Sequence, residues 1–159
     1  MRFLIVLSLF MTFSLVPAMA VGLEDFVGEW KGRGQYTRID DGERKGKLTC
    51  RLKIKLRDSN RITIDGRCGA AIGAKDFAMQ ITLSGENTLS VLDLSKERVV
   101  NRKSTGRFDE SGITLVSENE DGSHIFHLSL PIEGQIQMDT SEVTSNKSDT
   151  GQVLLKRRK

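Results

Sequence analysis

Residues 50–68 read Cys-Arg-Leu-Lys-Ile-Lys-Leu-Arg-Asp-Ser-Asn-Arg-Ile-Thr-Ile-Asp-Gly-Arg-Cys. An apolar residue stands at every second position on both sides of an Asp-Ser-Asn turn, and that period belongs to two strands of a hairpin. With Asp58-Ser59-Asn60 as a three-residue loop, Leu56 opposes Ile62, Ile54 opposes Ile64, Leu52 opposes Gly66 and Cys50 opposes Cys68. Arg57 and Arg61 close the loop. Counted outward from that pair, the cysteines fall at a non-hydrogen-bonded position with Cα atoms ~4.5 Å apart, inside the reach of a disulfide. A slip of one residue would turn one strand's apolar set outward, so the pattern and the cysteines select the same register. In the chain-entropy model a bridge closing such a loop stabilises the fold by ~3 kcal/mol.

The other face of this hairpin is basic. Lys47, Arg51, Lys53, Lys55 and Arg57 alternate outward on one strand, opposite Arg61, Thr63, Asp65 and Arg67 on the next. Arg51 against Arg67 and Arg57 against Arg61 are like-charge pairs, which weaken a sheet. Two readings follow. One is a solvated wall whose charges protect a sheet edge; the other is a docking patch for an anionic envelope surface or a protein partner. Nucleic acid is excluded, because no aromatic residues interleave the patch and the formal net charge is only +3, too small to argue for it.

Further alternating runs continue the pattern along the chain. They are Phe77, Met79, Ile81, Leu83; Leu89, Val91; Ile113, Leu115; Phe126, Leu128, Leu130; Ile136, Met138; and Val153, Leu155. Turns are expected at 40–42, 84–87, 109–112 and 120–122, with Leu23 to Val27 as a single helical turn, while Leu94 to Gly106 shows no clean period. The expected architecture is all-β: one antiparallel up-and-down barrel of about eight to ten strands. Residues 1–20 stand apart. Arg2, the uncharged run Phe3 to Val16 and Ala18-Met19-Ala20 read as a signal peptide cut after Ala20, its apolar run too short for a comfortable membrane span. Residues 21–159 then form a single barrel domain of ordinary size, secreted or periplasmic, where a lone pair of cysteines is expected to be oxidised.

The first strand opens Gly28-Glu29-Trp30-Lys31-Gly32-Arg33-Gly34. This G-x-W-x-G-x-G run after a short helical turn resembles the opening of lipocalins and other calycin barrels, and it is similar to nitrobindin-type haem barrels. The resemblance implies that Trp30 closes the barrel floor against a basic residue of the last strand, Arg157 or Lys156. It also implies a lumen that holds a small apolar ligand. A nitrobindin-like haem would need a histidine on a late strand. No histidine follows Leu130, so no haem or other cofactor is expected.

Candidate chemistry elsewhere is sparse. His124 and His127 are the only histidines, and three residues apart on a strand they point to opposite faces and hold no shared metal. Gly69 to Lys75 lacks the Gly-Lys-Ser/Thr ending of a phosphate loop, and no nucleophile-base arrangement is visible. We therefore expect a non-enzymatic binder, with Leu52, Ile54, Ile64, Phe77, Met79, Phe126 and Leu128 lining the lumen. Gly32, Gly34 and Gly66 share the inward face and add no side-chain volume, which favours a void. The alternative is an interaction module working through its basic outer surface.

Overall fold

The computed structural model describes residues 21–71, 73–95 and 103–158. Residues 1–20, on which the expected signal peptide falls, and the centre of the 94–106 stretch lie outside the described residues. Ten antiparallel strands follow a short 3-10 turn at Leu23–Phe26: β1 (Gly28–Ile39), β2 (Glu43–Asp58), β3 (Arg61–Ala70), β4 (Gly73–Ser84), β5 (Thr88–Asp93), β6 (Lys103–Asp109), β7 (Gly112–Asn119), β8 (Gly122–Ser129), β9 (Gln135–Thr144) and β10 (Lys147–Arg157). Each strand pairs with its neighbours in sequence, and β1 pairs with β10 to close the barrel. This is the up-and-down meander expected from the alternation.

The hairpin register holds from Cys50↔Cys68 through Leu56↔Ile62. Its closure differs. Asp58 pairs with Arg61 and Arg57 bulges out, so the turn is Ser59-Asn60 and not the three-residue loop with an Arg57–Arg61 pair. The physical reason is local: the Asp58 carboxylate accepts the Asn60 N–H at 3.0 Å and contacts Arg61 at 3.2 Å. An opposite-charge closing pair replaces a repulsive one. The disulfide is formed, with Cα atoms 4.1 Å apart on the lumen side of β2 and β3.

The lumen is filled by the inward side chains at the end where β1 begins and β10 finishes. Trp30, Ile54, Ile62, Ile64, Ile81, Ile113, Leu128, Ile136, Met138, Val153 and Leu155 are at most 1% exposed, so no water-sized space opens against them. The glycines do not leave the void expected of them. A Cβ on Gly34 would stand 1.8 Å from the Gln152 carbonyl oxygen, and one on Gly32 2.0 Å from that of Leu154. The β10 backbone has moved into their space. At Gly66 the ring of Phe77 does the same, 2.1 Å from where a Cβ would sit.

Trp30 anchors this floor. Its indole N–H donates to the Phe26 carbonyl at 2.8 Å, which ties the barrel to the 3-10 turn beneath it. The Arg157 guanidinium lies 4.6 Å from the indole centroid and donates to the Asp25 carbonyl. Arg157 therefore takes the closing position, while Lys156 points outward.

Candidate ligand-binding site at the barrel mouth

The pleat that places Leu155 and Val153 in the lumen continues up β10 to Gly151, Asp149 and Lys147, and up β9 from Ile136 and Met138 to Thr140 and Glu142. Past the apolar layer these same positions carry charge. Asp149 sits opposite Arg38 of β1 and accepts two hydrogen bonds from its guanidinium, from Nε at 2.6 Å and from Nη2 at 2.8 Å. Lys147 Nζ lies 3.2 Å from Asp149 and 3.9 Å from Glu142. Lys75 of β4 approaches Glu142 at 3.6 Å. Because β4 and β9 are not neighbours in the barrel, this last contact reaches over the opening.

The ring pair beneath it also crosses the lumen. Phe77 of β4 meets Phe126 of β8 edge to face, with centroids 5.8 Å apart, and these strands are likewise not adjacent. Phe126 is 3% exposed, whereas Phe77, Met79 and Leu48 are only partly buried. The ring pair thus divides a packed floor from a partly open mouth. The mouth has apolar surface low down and three cations against two carboxylates around it, an excess of one positive charge.

The Arg38 hydrogen bonds hold the Asp149 carboxyl below the usual carboxylate range, aided by Lys147 and opposed by burial. The same contact raises the Arg38 guanidinium further. Both groups are charged throughout the physiological range, so the Arg38–Asp149 pair is a fixed electrostatic feature. His124 faces the lumen from β8 and is partly buried. His127 faces out, its Nδ1 3.0 Å from Thr114 Oγ1. Among the described residues no three His, Cys, Asp or Glu side chains converge as metal ligands would.

The residues singled out from sequence therefore separate into three places. Leu52, Ile54, Ile64 and Leu128 belong to the packed floor, Phe126 and Phe77 form its upper boundary, and Met79 stays partly open. Lys47, Arg51, Lys53, Lys55, Arg57, Arg61 and Arg67 are all exposed on the outer wall. There Lys53 meets Glu29 at 3.0 Å and Arg67 meets Asp76 at 2.8 Å. Arg38, Lys75, Glu142, Lys147 and Asp149 were not anticipated. The available signal was the strand period itself, extended beyond the last apolar residue of each run.

No family model and no curated protein matches this sequence. Among solved structures, the S-type phycobiliprotein lyase CPES from Guillardia theta is similar over 86% of this chain and 90% of its own, with a TM-score of 0.63 at 11% identity. EF1p2_mFAP2b bound to DFHBI is similar over 86% and 97%, with a TM-score of 0.45 at 11% identity. At such identity the likeness is one of fold. Together with the closed ten-stranded meander it makes this chain a calycin-like β-barrel.

Proposed function

We propose that the protein binds a small amphipathic molecule in the barrel mouth, without catalysing its conversion. The observation that carries this reading is the division of the lumen at the Phe77–Phe126 pair. A solid floor offers no room for a deeply buried ligand. The mouth offers apolar surface at Phe77 and Leu48 beneath a crown with one surplus cation. The apolar part of the ligand rests on the first set, and an anionic group faces Lys75, Lys147 and Arg38. A few placed charges above an apolar wall is the usual composition of a small-molecule site. The ligand is taken from solution and is not a resident cofactor. Kinship of fold with a phycobiliprotein lyase supports small-molecule handling by this barrel, but fold alone transfers no reaction.

The working compartment in this proposal is extracytoplasmic, secreted or periplasmic. The Cys50–Cys68 bridge supports it, since such bridges persist in oxidising surroundings, as does the leader-like run at 1–20. Among the described residues no helix is long and apolar enough to cross a membrane.

The test is titration with anilinonaphthalene sulfonate, which joins an apolar ring system to an anion. Enhanced fluorescence at micromolar dye is expected. Leu48→Trp should abolish it by filling the mouth, and Lys75→Glu should weaken it while circular dichroism stays unchanged. No binding, or binding indifferent to both substitutions, would sink the proposal.

A further inference from the structure

Closure of the barrel assembles on its outer wall a row of charges that no two strands make alone. Lys156 of β10 stands opposite Lys31 of β1, Lys31 opposite Arg51 of β2, and Arg51 opposite Arg67 of β3. All four side chains are exposed. At ~4.8 Å per strand, four cations fall within ~14 Å. Directly opposed like charges destabilise a sheet. Protection of a sheet edge would explain them, but all four strands are hydrogen-bonded on both sides in a closed barrel. There is no edge here to protect. Of the four, only Arg67 makes an ion pair among the described residues, at the far end of the row with Asp76 at 2.8 Å.

The wall is concave over three of these four cations, Lys31, Arg51 and Arg67. A groove of about 720 Å³ runs over them and is lined also by Thr49, Gly69 and two carboxylates, Asp65 and Asp76. A Cβ on Gly69 would meet only the Ala74 methyl, at 3.8 Å. On one flank Glu29 and Lys53 neutralise each other at 3.0 Å; on the other, Arg33 is exposed and adds a further cation.

We propose that this groove binds a linear acidic polysaccharide laid across β1, β2 and β3 along the cation row and reaching Lys156 of β10 beyond the groove's end. A polymer with repeating sulfate, phosphate or carboxylate groups supplies one counter-charge after another to cations that repeat at the strand spacing. A flat bilayer cannot enter a concave groove, and no exposed aromatic side chain lines this one to insert into lipid. Stacking of nucleic-acid bases lacks its aromatic platform for the same reason. The site is separate from the mouth and stands or falls independently of the ligand proposed there.

Calorimetry of the intact, disulfide-bonded protein with a size-defined heparin octasaccharide at low salt tests this. Binding is expected, with affinity falling as salt rises, because polyanion binding releases counterions. Arg51→Glu should lower affinity about tenfold, and each cation removed from the row should reduce the slope of log affinity against log salt by about one. The same substitution sets an acid between Lys31 and Arg67, so it should raise the melting temperature. Weakened binding by a more stable protein excludes misfolding as the cause. Arg107→Glu, on the far wall, should leave affinity unchanged. An equal loss in Arg107→Glu would reduce the effect to net charge and overturn the proposal. So would row-dependent sedimentation with phosphatidylglycerol vesicles in a protein that ignores the octasaccharide.

Discussion

On β10 the lumen-facing side chains near the floor are Leu155 and Val153, and near the mouth they are Asp149 and Lys147. The strand's pleat is the same along its whole length; what changes is whether water can reach the inward face. At the floor Trp30, Arg157 and the 3-10 turn seal the end, and an unpartnered polar group there would cost its full desolvation. At the mouth the rim stays partly solvated, so charges are tolerated if they meet partners, as Asp149 meets Arg38 and Lys147. The barrel thus keeps its sealed apolar core at one end and its lumen-facing charges at the other.

The comparison breaks most easily at Trp30. Trp30→Ala should cost ~3–5 kcal/mol, the range for emptying a buried aromatic site, read from the denaturant midpoint. A loss under ~1 kcal/mol would mean that the floor is not where stability resides. Removing the bridge with Cys50→Ala and Cys68→Ala should cost ~3 kcal/mol, measured against the same protein in oxidised form. Gly34→Ala tests whether β10 truly fills the glycine's space: a methyl forced against the Gln152 carbonyl should cost ~1–3 kcal/mol by overpacking. A neutral result would restore the void.

The mouth should yield the smallest change. Asp149→Asn should cost no more than ~1 kcal/mol at neutral pH, as expected of a partly exposed ion pair. Its pH dependence has a definite sign. The folded carboxyl titrates below its ordinary value, so its stabilisation is complete above the unfolded pKa of ~3.9 and is lost as pH falls through the lower folded value. The gap between wild type and Asp149→Asn should therefore close on acidification below about pH 4. A gap that widens there would reverse the assignment.

Most of the floor was legible because burial on one face imposes a strict period of two, and Cys50 and Cys68 pinned one register. The turn was misread because Arg57 and Arg61 were allowed to close it, although their repulsion and the turn-forming side chain of Asp58 both favour the shorter loop. The start of β6 was illegible for a different reason. Its inward positions are Ser104, Gly106 and Phe108, where Ser104 shares a hydroxyl hydrogen bond with Ser117 at 2.7 Å and a Cβ on Gly106 would sit 2.7 Å from Leu115. No apolar alternation marks such a strand. Charged residues read as outward by default, which concealed the mouth. Arg51 and Arg67 could be paired within one hairpin, but Lys31 and Lys156 join their row only through the long-range pairing of β1 with both β2 and β10.

The pairing of Trp30 with Arg157 also sets an order of events. The first strand made needs the last one made, and at synthesis rates of roughly 5–20 residues per second it waits many seconds for that partner. Contacts so distant along the chain form slowly. A nascent chain ending before Lys147 has no β10, and its β1 backbone still lacks half of its partners. Residues 147–157 must be made before the ring can shut, so closure of the barrel cannot precede the synthesis of β10. The strand that latches the ring is thus more than a hundred residues from the strand that it completes.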